Sequence, residues 1–230
     1  MSDHTGGTLA PFGQTLRHLT GDVLWDGMLA AAYERRHPIG STLLRQGEPG
    51  THVLALRAGV AKVIRQERSG DLTLLAFRGP GELLGEVAVL DGGVRSASVQ
   101  AISDCSVAVL SGAAFLRFVT DHHLFPVMVR YALGRLRESD LARGGRDVVA
   151  RLSAALVNLA EVSAESPSPR HEHIELALTR EELAQYLGVS RNTVTAGLAE
   201  LGALRVQSGR KRIVIGDLSA LRHAASMLRD

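Results

Sequence analysis

A single cysteine, Cys105, stands in a chain of 230 residues. Neither an intrachain disulfide framework nor a four-cysteine metal or iron–sulfur site can be built from it. It falls in the apolar run CSVAVL and reads as a small core residue. The opening MSDHTGGTLAPFGQ lacks the apolar centre of an export signal, and no window has the length and hydropathy of a membrane span. A cytoplasmic protein with no membrane partner is the expectation. Charge of one sign is scarce as well. The formal net charge is +2, so overall charge announces no polyanionic partner and basic residues must be judged where they cluster. Lysine is nearly missing, with only Lys62 and Lys211 among the basic residues. Arginine suits phosphate and guanine contacts, although codon usage produces the same bias. There is no internal repeat, P-loop, nucleophile elbow or metal-ligand set. His122–His123 and His171-x-His173 have no third ligand nearby and read as surface residues, so neither catalysis nor a metal is expected.

The chain has hydrophobic content of 45% and charged content of 22%, values of a globular protein long enough for two cores. Residues 1 to about 15 read as a loose tail. Leu16, Leu19, Leu24, Trp25, Met28, Leu29 and Tyr33 suit one or two short helices over 16–36. From Pro38 onward, glycine or Gly/Pro punctuation returns about every ten residues, at Gly40, Gly47–Gly50, Gly59, Gly70, Gly79–Gly81 and Gly92–Gly93. The runs between, HVLALRAG, AKVIRQ, LTLLAF and CSVAVL, predict short antiparallel strands in a sandwich, jelly roll or small barrel. Residues 112 to about 146 turn helical. Pro126, Val129, Leu133 and Leu136 form a stripe fit for a partner helix. Gly144–Gly145 weakens that helix, and a domain boundary is expected near Asp147. VVARLSAALVNLAEV continues as a helix. The loop SAESPSPRHEH, a strand IELAL and a terminal helix from Asp217 complete the outline.

The sharpest local signal is TREELAQYLGVSRNTVTAGLAEL, followed by SGRKRIVIGD. Thr179 and Glu182 form a capping box. Leu183, Ala184 and Leu187 share one helical face, Gly188 stands where the chain must turn, and Ser190 is a good N-cap for a second helix. Val194 and Leu198 bury that helix, which leaves Arg191, Asn192, Thr195 and Ala196 exposed near its start. In a helix-turn-helix those positions reach base edges in the major groove. An ordinary helical hairpin gives the same pattern. The surroundings favour the helix-turn-helix: Arg210, Lys211 and Arg212 fill a turn between LRV and IVI, where a wing meets phosphates. Thr179, Ser190 and Thr193 add hydroxyls near helix N-termini, which favour anions.

A second constellation lies in GELLGEVAVLDGGVRSASVQA. Gly85–Glu86 is followed nine residues later by Arg95–Ser96. An arginine fork and backbone amides suit a cyclic phosphate, a carboxylate suits a ribose 2′-hydroxyl, and glycine permits close backbone approach. A surface Glu–Arg pair beside a glycine-rich turn fits the same residues.

The motifs LLGEVAVLDGGVRSASVQA, RLSAALVNLA and LTREELAQYLGVSRNTV, in this order and spacing, resemble the catabolite activator (CRP/FNR) family of bacterial transcription regulators from about residue 20 to 216. The resemblance implies an α+β fold. Residues 16–121 would form a cyclic-nucleotide-binding β-roll of jelly-roll type, 122–146 a long dimerisation helix, and 147–230 a winged helix-turn-helix. It also implies that Glu86 holds a ribose hydroxyl and Arg95 the cyclic phosphate, with Gly85 and Ser96 completing the cassette. The family's purine-reading Thr-Ser pair falls on Leu136 and Arg137, a departure that leaves open another nucleotide, cAMP seated differently, or no effector. Arg191 matches a base-reading arginine. Asn192 and Ala196 replace Glu and Arg, so the operator should depart from the family consensus. Thr179, Arg180, Ser190 and Thr193 match positions that hold phosphates. The implied partners are a pseudo-palindromic DNA duplex, a second copy of the chain and RNA polymerase. The alternatives are a ligand-independent regulator of the same fold and a nucleotide-sensing regulatory subunit of an enzyme.

Overall fold

The computed structural model describes residues 15–141, 147–164 and 173–227. Two short helices lead in: α1 (Leu16–Thr20), whose cap Thr15 accepts from the His18 amide, and α2 (Asp22–Leu29), which buries Trp25, Met28 and Leu29. Tyr33, expected at the end of a helix, instead opens the strand β1 (Tyr33–His37). Strands β2 (Thr42–Leu44), β3 (His52–Ala58), β4 (Ala61–Gln66), β5 (Leu72–Arg78) and β6 (Leu83–Leu84) follow. A short helix α3 (Glu86–Leu90) interrupts them before β7 (Ser98–Ala101) and β8 (Cys105–Ser111). They build two antiparallel four-stranded sheets, ordered β1-β8-β3-β6 and β2-β7-β4-β5. β1 pairs with the distant β8, from Tyr33 opposite Val109 to His37 opposite Cys105.

β3 shows why HVLALRAG is apolar almost throughout. Its side chains alternate across the sheet. Leu54 and Leu56 point between the sheets with Val99, Val107 and Cys105. Val53 and Ala55 point outward into a second core, under Trp25, Phe115 and Tyr131. A strand buried on both faces has no polar side to show. Cys105 is buried, and burial pushes its thiol up to about 12.

The helical stretch after Ser111 is two helices. α4 (Gly112–Asp121) is capped by the Ser111 hydroxyl. It ends where His122 stacks on Phe118 at 4.0 Å and His123 takes a left-handed φ of 53°. α5 (Phe125–Leu141) follows. Gly144–Gly145 and Arg143 beyond it, and the side chains of Arg137 and Asp140 within it, lie outside the described residues, as do the tail before residue 15 and most of the loop SAESPSPRHEH with His171.

The C-terminal part contains α6 (Val148–Ala164), β9 (Ile174–Leu176), α7 (Arg180–Leu187), α8 (Arg191–Glu200) and a 3-10 turn (Leu201–Leu204). β10 (Val206–Ser208), β11 (Ile213–Ile215) and α9 (Leu218–Met227) complete it, with the strands in one antiparallel sheet ordered β10-β11-β9. Leu152, Leu156, Leu183, Leu187, Val194 and Leu221 fill its core with almost no exposure. Truncating any one of these leucines to alanine costs about 2–5 kcal/mol. No helix among the described residues is long and apolar enough to cross a membrane.

Candidate nucleic-acid interface and effector pocket

α7 and α8 form the helix-turn-helix. The Thr179 hydroxyl accepts the Glu182 amide at 3.1 Å while Glu182 Oε2 accepts the Thr179 amide at 2.8 Å, closing the capping box. Gly188 then takes φ 65°, a left-handed turn that a Cβ would strain. Ser190 caps α8 by accepting the Thr193 amide at 3.1 Å. On α8, Val194, Gly197 and Leu198 are buried. Gly197 allows close packing, because a Cβ there would lie 3.0 Å from Leu152 Cδ2 on α6. The remaining face carries Arg191, Asn192, Thr195 and Ala196, all exposed, and Thr195 spends its hydroxyl hydrogen on the Arg191 carbonyl. The face offers a cation, an amide and a methyl to whatever meets it.

Arg210, Lys211 and Arg212 are exposed in the turn between β10 and β11, where Gly209 donates to the Arg212 carbonyl at 2.8 Å. Arg212 approaches Glu175 at 3.8 Å, a pair too exposed to neutralise the cluster. Arg180, the first residue of α7, donates to the Ser208 hydroxyl at 2.9 Å and 3.1 Å. That ties the start of the helix-turn-helix to the wing and fixes their relative position.

In the roll, Gly85 sits at φ 80° as the N-cap of α3, and Glu86 is the first residue of that helix. The glycine is required. A Cβ there would lie 2.9 Å from Arg95 Cζ. Arg95 donates to the Gly85 and His52 carbonyls and is 4% exposed. Burial draws its guanidinium below its ordinary value, while Glu86 and Glu48 hold it up. Burial and the Arg95 charge likewise lower His52. Ser96 is exposed.

Glu86 is not free to wait for a hydroxyl. Arg135 Nη1 donates to Glu86 Oε1 at 2.6 Å, and its Nη2 donates to Glu82 Oε2 at 2.9 Å and the Leu83 carbonyl at 2.7 Å. The Tyr131 hydroxyl bonds Glu82 and accepts the Leu83 amide at 3.1 Å, and the Arg135 guanidinium lies 4.1 Å from the Tyr131 ring centroid. Burial opposes the charge on Arg135, but Glu86, Tyr131 and Glu82 override it and hold the group well above its usual range. Burial, with both glutamates, drives the Tyr131 phenol well above its own. Tyr131, Glu82, Arg135 and Glu86 therefore form a closed cluster in which two carboxylates share one cation.

Leu136 is 66% exposed on α5. Arg135 beside it, about 100° round the helix, is the residue that bonds Glu86. Sequence reasoning did not single out Arg135; its spacing of four from Tyr131 was the available signal. Phe125, Val129, Leu133 and Leu136 are instead exposed together, as a stripe along α5.

Known proteins share both halves. Residues 34–122 match the cyclic nucleotide-binding domain, and residues 150–224 the Crp-like helix-turn-helix domain. The cyclic AMP receptor protein of Thermus thermophilus is 31% identical over 194 residues, which cover 79% of this chain and 84% of that protein. A CRP-like cAMP-activated global transcriptional regulator of Mycobacterium tuberculosis is 29% identical over 82% of this chain and 86% of its own length. Among solved structures, a CRP-family transcriptional regulator from Thermus thermophilus superposes with a TM-score of 0.59 at 23% identity, covering 84% of this chain and 96% of that one. The c-di-GMP-responsive global regulator of Xanthomonas campestris gives 0.54 at 22% identity, over 84% and 98%. A β-roll, a capped helix-turn-helix, the two domain matches that together span most of the chain, and a relative 31% identical over 79% of it place this chain in the CRP family of transcriptional regulators.

Proposed function

We propose that the chain acts as a homodimer that reads a pseudo-palindromic DNA operator and is gated by a cyclic nucleotide or related small effector in the roll. The observation that carries this reading is the exposed face of α8, with Arg191, Asn192, Thr195 and Ala196 free of packing beside a basic wing. Arg191 suits the N7 and O6 of guanine, Asn192 an adenine edge, and Ala196 a thymine methyl. Thr179, Arg180, Ser190, Thr193, Arg210 and Lys211 supply phosphate contacts around it. The stripe on α5 supports the dimer. Four large apolar side chains there, each about half or more exposed, need a partner helix. Two half-sites one helical turn apart, ~34 Å, need two copies of α8. Gly85, Glu86, Arg95 and Ser96 form the effector cassette, with Arg135 as an added pocket residue.

A second reading is favoured by one observation. Arg135 already pairs with the carboxylate that a ribose hydroxyl would use. If no effector displaces it, the chain regulates without one. Selection of genomic DNA by the purified protein, with and without cAMP and cGMP, separates the two. Enrichment of a palindromic site that strengthens with nucleotide supports gating. Equal enrichment, with no thermal stabilisation at millimolar nucleotide, supports the constitutive reading. Recovery of no specific DNA refutes both.

A further inference from the structure

The wing is anchored unevenly. Its base is held by the domain core, where Val206, Ile213 and Ile215 are buried. β10 and β11 are only 3 residues long each, and Ser208 opposite Ile213 is the pair next to the turn. Beyond that pair, Gly209, Arg210, Lys211 and Arg212 are all exposed. The Gly209 amide closes the turn on the Arg212 carbonyl at 2.8 Å. That bond lies inside the turn and does not aim it. The adjacent cations repel one another, and their repulsion selects no single direction for the tip.

Ser208 is where the direction is set. Arg180 Nε and Nη2 both donate to its hydroxyl oxygen, at 3.1 Å and 2.9 Å, and Nη2 also lies 3.4 Å from its carbonyl oxygen. A planar guanidinium that places two adjacent N–H groups on one oxygen constrains the plane of approach as well as the distance, which an ammonium cannot do. Arg180 is half-buried and is the first residue of α7, where the helix dipole disfavours a cation. Helix stability therefore does not explain the residue, and ion pairing does not either. Glu182 is taken up by the Thr179 amide and by Lys62, and no carboxylate among the described residues pairs with Arg180. What Arg180 reaches is the last ladder residue before the wing turn. α7 is in turn packed against α8 through Leu183, Leu187, Val194 and Leu198. A bond from α7 to Ser208 thus orients the wing relative to the reading face of α8.

We propose that Arg180 is a positioning residue for the wing: acting through Ser208, it aims Arg210 and Lys211 at the phosphates that flank the groove read by α8. This rests on the reading of α8 and the wing as the DNA-contacting parts of a dimer. The role adds to any phosphate contact made by Arg180 itself, so the deciding variant leaves Arg180 and every other charge in place. Ser208→Ala does this and removes only the acceptor. In anisotropy titrations on the selected operator, it should flatten the plot of log K against log salt by close to 2 per dimer, the share of one wing phosphate per subunit, although no cation is lost. Raising KCl from about 50 to about 200 mM should then weaken wild type roughly tenfold more than the variant. The double variant with Lys211→Ala should show the slope of Lys211→Ala alone, because each change removes the same contact. Ser208→Thr keeps the acceptor and should restore the wild-type slope. Preference among single-base-pair operator variants should stay as in wild type. In protein without DNA, the amide heteronuclear NOE of residues 209–212 should fall in Ser208→Ala and recover in Ser208→Thr. A wild-type salt slope in Ser208→Ala, slope losses that add in the double variant, or an unchanged NOE overturns the positioning role and leaves DNA reading intact. Failure of wild type to hold any operator removes the DNA reading itself, and the aiming of the wing at phosphates with it.

Discussion

Replacing Arg191 by alanine separates base reading from folding. α8 is fixed by the Ser190 cap and by burial of Val194, Gly197 and Leu198, and the exposed Arg191 side chain takes no part in either. Alanine is also the better helix former, so stability should stay within about 0.5 kcal/mol of wild type. Loss of one guanine contact costs about 1–3 kcal/mol. The proposed two-fold dimer would lose it twice, so the total of about 2–6 kcal/mol corresponds to a roughly 30- to 25,000-fold weaker Kd on the preferred operator. The loss should be much smaller on an operator whose paired guanines have been replaced, because there the wild type has already forfeited the contact. Lys211→Ala makes the contrast. A wing lysine on a phosphate should weaken all sequences alike and flatten the plot of log K against log salt by about 0.9 per phosphate, close to 2 per dimer. Anisotropy titrations over a panel of single-base-pair variants at several KCl concentrations read both signatures. If Arg191→Ala binds every variant as wild type does, or weakens them evenly with a flatter salt slope, Arg191 is not at a base edge.

Three further outcomes follow from particular side chains. Leu133→Asp places a charge in the exposed α5 stripe, and sedimentation equilibrium at micromolar concentration should show a monomer; an unchanged dimer mass refutes the α5 stripe as the dimer interface. Arg135→Met leaves Glu82 and Glu86, 1% and 7% exposed, without their shared cation. Urea unfolding should then lose about 3–5 kcal/mol, with partial recovery on adding Glu82→Gln; a loss under about 1 kcal/mol refutes the cluster as a structural unit. Cys105, with its thiol pushed up to about 12 by burial, should resist iodoacetamide at pH 8 until the protein unfolds. Because the folded value lies above the unfolded one, this thiol contributes no pH dependence below about 9 and a loss of stability between about 9 and 12. Rapid native-state alkylation refutes it.

The parts of this molecule legible in the sequence are those whose cause is local. A capping box, a glycine at φ 65° and a serine N-cap each act within four residues, and Thr179, Gly188 and Ser190 occupy those places. Strand runs such as HVLALRAG announce themselves because β3 is buried on both faces. What escaped was set by tertiary phase. Tyr33 follows an apolar helix and looks like its continuation, yet β8 needs a partner, and Tyr33 begins that strand. Arg135 and Leu136 are neighbours in sequence but lie about 100° apart round the helix. One bonds a buried pair of glutamates, the other belongs to the exposed stripe, and the packing of α5 on the roll sets that phase. α7 is the instructive case. Its leucines predict one buried face, correctly, but Glu182, Gln185 and Tyr186 form a second covered face at the same helical spacing. Amphipathicity cannot reveal a face covered through hydrogen bonds, because its residues are those a solvated surface would also choose. The contacts that join roll to helix-turn-helix thus combine a polar layer of Lys62, Glu182 and Gln185 with an apolar cluster of Leu74, Phe77 and Leu183, and only the second leaves a periodic trace in the sequence.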